Sequence, residues 1–447
     1  MCVGRGAPLS RGRAPSPYSR SPRAAHLPSP RAVLGRIFNK QGDVQCACGG
    51  RFREARTTGP TSAQQRLWLT PPPANPQYYN ATPYNVTFDR AGKRPTSPVA
   101  DVAMTGTHQA DFVGAWGVEQ MKRAVDQSLP FFVHVTPTMV HEGTCYGPFK
   151  DTSRYARDDP FWEQDLSGFG CTPENAQMCS ITVSACPSDK HKHDFDGVSM
   201  PHVPSWNATE AGPVPKVMAK NPPLKPYEAG RQAMGYRNRS ASAADLDDMI
   251  GVLLKGLDDL GVAENTYVIF TSDNGFHLGE HSMLFGKEHP YTHDVSLPLY
   301  IRGPGIPANT TLLHPTNHLD ITATVVELAG ATPVGPPLDG KSFAGALTAA
   351  PVPPEQWRTF SFTEHFGNAN TWWHLRRPLA GDRTEFTHWC GGGDEEVFDM
   401  DADPWELRNV ADGAGAALAK RELPLAATLG SCSGASCWAP SADPSPG

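Results

Sequence analysis

Asp273 and Asn274 set a carboxylate beside an amide oxygen, and Lys287 brings an ammonium fourteen positions later. Adjacent oxygen donors suit a hard cation such as Ca²⁺ or Mg²⁺, and a nearby ammonium opposes an anionic group. Asp-Asn-Gly is also ordinary turn chemistry, and a single lysine is an ordinary surface residue. Position gives the pair its weight: it follows directly on Thr266-Tyr267-Val268-Ile269-Phe270, a β-branched and aromatic run with the character of a central strand. Phe276-His277-Leu278-Gly279-Glu280-His281 comes next and adds two imidazoles that either line a cleft or cap it. A further histidine, His141, closes the segment that begins at Pro130-Phe131-Phe132-Val133.

These residues need elements to present them. Leu246, Met249, Ile250, Leu253, Leu254, Leu257 and Leu260 keep one apolar face, with Ser240 or Ser242 as the expected cap and Gly261 at the expected stop. Helix followed by buried strand predicts an α/β sheet with a parallel core, in which ligands sit at the carboxyl ends of strands. A second strand, Leu297–Arg302, ends in Gly303-Pro304-Gly305, and Asp320–Gly330 has the start, period and stop of a short helix. Upstream, residues 109–128 read as a helix and Phe131–Val135 as a short buried strand. Residues 142–235 are polar, Pro-rich and irregular, as expected of functional loops around a site.

Composition bounds the rest. The 447 residues contain 44 Pro and 42 Gly, which marks a loop-rich chain. The net charge of −7 conceals a basic head: residues 1–60 carry +9 and the remainder −16. An acidic body disfavours nucleic acid as partner. No apolar run reaches the length of a membrane span. Five Asn-x-Ser/Thr sequons, at Asn80, Asn85, Asn207, Asn238 and Asn309, point with the cysteines to a secreted or secretory-pathway protein, although no signal peptide follows Met1. Cys432 and Cys437 form a plausible local disulfide; Cys145, Cys171, Cys179 and Cys186 crowd one Gly/Pro-rich stretch.

The block Thr266 to His281, then Gly286-Lys287, then Val295-Ser296-Leu297-Pro298-Leu299-Tyr300-Ile301-Arg302-Gly303-Pro304-Gly305-Ile306 resembles the sulfatases of the alkaline-phosphatase-like superfamily, most closely the arylsulfatase and N-acetylglucosamine-6-sulfatase branch. Asn317-His318-Leu319-Asp320, Asp339-Gly340-Lys341-Ser342 and Asp399-Met400-Asp401-Ala402-Asp403-Pro404-Trp405-Glu406 extend the likeness, which covers about residues 70–410. The resemblance implies an alkaline-phosphatase-like mixed sheet flanked by helices, with a small C-terminal α+β subdomain. The corresponding division is a low-complexity, disordered segment at 1–70, a catalytic domain at 71–345, a small subdomain at 346–412 and a flexible tail at 413–447. It further implies hydrolysis of an O-sulfate ester on a small molecule or glycan. Asp273 and Asn274 would hold Ca²⁺, Lys287 would contact a sulfate oxygen and His141 would sit near the leaving oxygen. His277, His281 and, through a degenerate Gly35-Arg36 segment, Arg36 would contact substrate.

The chain departs from that pattern at the nucleophile. It contains no Cys-x-Pro-Ser-Arg segment, whose first residue becomes formylglycine in the family, and no early Asp-Asp pair to complete the metal shell. Two expectations follow, a sulfuric ester hydrolase whose nucleophile this chain does not encode, or an inactive or truncated relative that binds a sulfated ligand. A phosphatase or phosphodiesterase of the same superfamily is a third reading, disfavoured by the Asp-Asn-Gly ending and the Lys287 context.

Overall fold

The computed structural model describes the strands at 2–4, 65–69, 78–79, 84–90 and 100–102, and residues 107–141, 185, 187–333, 335–347, 357–367, 370–378 and 382–438. In the first group, β1 is Cys2–Gly4, β2 Gln65–Leu69, β3 Tyr78–Tyr79, β4 Tyr84–Arg90 and β5 Ala100–Val102, with β6 at Thr107–His108. β2, β4 and β5 form one antiparallel sheet, and β3 pairs with β6. Apart from β1 and β2, the expectation of disorder over 1–70 lies outside the described residues.

Helix α1, Gln109–Asp126, leads into β7, Phe131–Val133. Helix α2 is Pro226–Asp259, twice the length its apolar face predicts. Ser240 and Ser242 are therefore interior, not caps; Glu228 closes the N-terminus by accepting the Lys225 N–H at 2.8 Å. Gly261 ends the helix as expected, at φ +68. Met121 packs with Met249, Leu253 and Leu257 between the helices, and Gly256 permits the approach, since a Cβ there would come within 2.6 Å of Val118 Cγ2.

The central sheet runs β7-β1-β8-β9, with β8 at Thr266–Thr271 and β9 at Leu299–Arg302. β1 is antiparallel to both β7 and β8, so those two point the same way. β8 and β9 are antiparallel, which corrects the expectation of a parallel core at this step. The cause is the connection: a loop holding only the one-turn helix α3, Thr292–Val295, returns the chain without a crossover helix. Helix α4, His318–Leu328, packs Ile321 and Val325 against Ile269 of β8. Its Asp320 is fully buried and accepts the N–H groups of Asn317 and Lys341, each at 2.8 Å, and the guanidinium of Arg358.

The C-terminal part is a four-stranded antiparallel meander of β10 Ser361–His365, β11 Trp372–Arg377, β12 Thr384–Trp389 and β13 Asp394–Asp399. Helix α5, Ala416–Leu429, covers it. Within the segment expected as a flexible tail, Leu425, Ala426 and Leu429 thus pack against Trp373, Leu375, Phe386 and Val397. Cys432 and Cys437 form the expected disulfide. The four central cysteines lie outside the described residues, Cys186 among them.

Candidate functional site

β8 delivers the site at its carboxyl end. Beyond Thr271 the backbone turns: Ser272 Oγ donates to the Asn274 carbonyl at 2.8 Å, the Asn274 N–H to Asp273 Oδ1 at 3.0 Å, and Asn274 Nδ2 to the Gly275 carbonyl at 2.8 Å. Asp273 is exposed and Asn274 half-buried. The turn is fastened from behind by His318 at the start of α4, whose Nε2 is 2.8 Å from the Ser272 carbonyl.

Return of the chain to this turn rests on backbone pairing. Gly275 donates to the Asp294 carbonyl and Phe276 to the His293 carbonyl, both at 2.8 Å. His277 and Gly286 then exchange two backbone bonds of 2.9 and 3.1 Å. Lys287 follows Gly286 immediately, so its side chain runs back along the turn and Nζ reaches Asn274 Oδ1 at 3.3 Å. Only glycine fits at 275, because a Cβ there would come 2.0 Å from the His293 carbonyl oxygen.

Buried polar side chains hold the loop. Asp294, 5% exposed, takes His277 Nδ1 at 2.8 Å and the His289 N–H at 2.9 Å. Burial lowers the His289 pKa to about 4, so its ring is neutral. The meander clamps the far side: Trp372 Nε1 and Asn370 Nδ2 each donate to the Glu288 carbonyl at 3.0 Å, and Glu406 accepts the Thr292 N–H at 2.9 Å. Tyr291 Oη lies 2.8 Å from Glu210 Oε1 and 3.0 Å from Glu396 Oε1. One hydroxyl proton cannot serve two carboxylates, and burial together with the Glu210 charge raises the Glu396 pKa well above its ordinary value.

A family model described as Sulfatase matches residues 70–331 of this sequence. The chain belongs to the sulfatase family. An arylsulfatase of Chlamydomonas reinhardtii is 28% identical over 389 residues, covering 80% of this chain and 55% of the algal protein. An N-acetylglucosamine-6-sulfatase of Bos taurus is 30% identical over 235 residues, 46% of this chain and 42% of the bovine one. The chain therefore spans about half the length of these relatives. Among solved structures, BT4656 in complex with its substrate D-glucosamine-2-N,6-O-disulfate superposes with a TM-score of 0.56 over 81% of this chain and 74% of that one, at 17% identity. The fold is that of the alkaline-phosphatase-like sulfatases.

Within this sulfatase fold, Asp273, Asn274 and Lys287 come together at the carboxyl end of β8. His141 stands at the end of the segment after β7, with its N–H on the Thr138 carbonyl at 2.8 Å. Arg239 of α2 links that segment to the site: its guanidinium donates to the Val140 carbonyl at 2.8 Å and lies 3.8 Å from the Phe276 ring centroid. His277 and His281 are interior, 2% and 3% exposed. His277 is held by Asp294, and His281 stacks on Tyr291 at 4.1 Å. Both side chains are thus interior to the returning loop. Arg36 lies outside the described residues. Sequence reading missed Arg239, His289, Asp294 and His318. The closely spaced His289, His293 and Asp294 between two strands were the available signal.

The donors at Asp273 and Asn274 fit a hard cation in type, since both are oxygens. In number they fall short, as such ions take about six to eight oxygens. When bound, the cation would add positive charge beside Lys287.

Proposed function

We propose that this chain carries the sulfate-ester site of a sulfuric ester hydrolase of the arylsulfatase or N-acetylglucosamine-6-sulfatase type. The observation that carries the reading is the Lys287–Asn274 contact of 3.3 Å at the end of β8, with the Asp273 carboxylate next to it. An ammonium fixed by a folded loop sets a positive charge where a sulfate group carries negative charge, before reaction and without reorganisation. Lys287 binds a sulfate oxygen, Asp273 and Asn274 offer two of the oxygen ligands of a Ca²⁺ ion that these two alone would hold only weakly, and His141 protonates the departing oxygen. The ligand is a sulfated small molecule or glycan; the sulfated glucosamine held by BT4656 supports that class. The sequons and the Cys432–Cys437 disulfide support a secretory location, and none of the described helices is long and apolar enough to cross a membrane.

The missing Cys-x-Pro-Ser-Arg segment favours a second reading, binding of the sulfated ligand without turnover. Release of 4-nitrophenol from 4-nitrophenyl sulfate separates the two. Turnover that Lys287→Ala abolishes establishes the hydrolase. Binding of the ester without release establishes the second reading, and absence of both removes the site.

A further inference from the structure

We propose that His277, His289 and Asp294 form a binding site for a borderline divalent transition-metal ion of the Zn²⁺ class, separate from the oxygen donors Asp273 and Asn274. One ring nitrogen from each histidine and one Asp294 oxygen all lie within 4.8 Å of one another. Unlike an exposed acidic cluster, this set is interior: His277 is 2% exposed and Asp294 5%. Two imidazoles and a carboxylate match a three-ligand Zn²⁺ site with a fourth position left for water. Ca²⁺ and Mg²⁺, which prefer an all-oxygen shell, match it poorly.

The His277–Asp294 hydrogen bond alone would make this a structural pair. The third member argues for more. His289 Nδ1 is buried and has no hydrogen-bond partner, and it lies 3.9 Å from Asp294 Oδ2. A buried ring nitrogen left unpaired is destabilising, and a metal bond removes that cost. Tetrahedral Zn²⁺ with bonds of about 2.05 Å needs donors about 3.3 Å apart. His277 Nδ1 and Asp294 Oδ1, now at 2.8 Å, would open by about half an ångström, and the longer separations would close by about 0.6–1.5 Å. The His289 side chain, 20% exposed, gives the ion a way in. This site does not depend on the sulfate-ester reading, and the loss of either leaves the other standing.

The test is a Co²⁺ titration of the full chain after chelator treatment, followed by the ligand-field absorption of the bound ion. One equivalent should bind, yield to Zn²⁺ and resist a large excess of Ca²⁺. His289→Ala should weaken binding at least tenfold, since loss even of an outer-shell partner costs about 10–100-fold. The His289 ring also meets the Lys287 backbone, so His289→Gln, which keeps a polar group there, accompanies His289→Ala; it should weaken binding comparably, with a denaturant curve that matches the wild type. A His191→Ala/His193→Ala double variant controls for the exposed histidine–aspartate group near Asp248. The proposal is overturned by absence of binding, by binding that His289→Ala leaves intact or the double variant removes, by Ca²⁺ displacement, or by thiolate-to-cobalt bands.

Discussion

Gly275→Ala tests whether the β8 turn and its returning loop are one rigid unit. The added Cβ would lie 2.0 Å from the His293 carbonyl oxygen and 2.9 Å from Asp294 Cα, and both obstacles are backbone, which cannot swing aside. Relief requires the loop to withdraw, which breaks the Gly275 to Asp294 and Phe276 to His293 hydrogen bonds. Two such bonds are worth about 1 kcal/mol each, and forced overpacking adds about 1–3 kcal/mol. The expected loss is therefore about 3–5 kcal/mol, read as a lower urea midpoint at unchanged slope. Retraction also carries Lys287 away from Asn274, so affinity for a sulfated ligand should fall in the fraction that remains folded. A loss below about 1 kcal/mol with ligand affinity intact would refute the claim that this backbone pairing positions the site.

Other perturbations reach different parts of the structure. Asp320→Ala leaves the Arg358 guanidinium buried without its carboxylate, and denaturant unfolding should show a loss of about 3–5 kcal/mol. The raised Glu396 carboxyl contributes stability that is complete below its ordinary value of 4.5 and is lost as pH rises toward the folded-state value. Melting temperature should therefore fall as pH rises above 4.5, and Glu396→Gln should flatten that slope. His374 is held at about 4 by burial, below its ordinary 6.5, so it stays neutral while the unfolded chain protonates. Stability should drop by up to about 3 kcal/mol as pH falls across that window, and His374→Gln should reduce the drop. Among the described residues Asp273 and Asn274 offer two oxygen donors and not a full shell, so Ca²⁺ should bind weakly or not at all, and micromolar affinity by calorimetry would contradict this.

What the sequence made legible was local. The β-branched run 266–270, the apolar period at 320–330 and the Asp-Asn-Gly ending each carry their signal within a few residues, and the structure forms a strand at Thr266–Thr271, a helix at His318–Leu328 and a turn at 272–275. The N-terminal half of α2 escaped notice because Pro226, Gly230 and Gly235 break the pattern, and it is tertiary contact that makes those residues helical. The meander was obscured for the opposite reason: its core holds His374, Arg377, Glu385 and Glu396, so apolar alternation never develops. Arg377 is tolerated there because Glu422 of α5 meets it at 2.8 and 3.0 Å, a pairing 45 residues apart that no local pattern announces. α5 itself contains Pro424, which reads as a helix breaker. Asp294 is partly of this kind: His289 stands five positions before it, but His277, seventeen positions upstream, is brought to it only by the fold.

Recognition of a sulfate ester by Lys287, Asn274 and Asp273 is tested most directly by calorimetric titration with D-glucosamine 6-O-sulfate against unsulfated D-glucosamine. The sulfated sugar should bind at least tenfold more tightly, and Lys287→Ala should erase the difference, as expected for one charge-assisted hydrogen bond of about 2 kcal/mol. Equal affinity for the two sugars, or a preference that survives Lys287→Ala, would contradict the account.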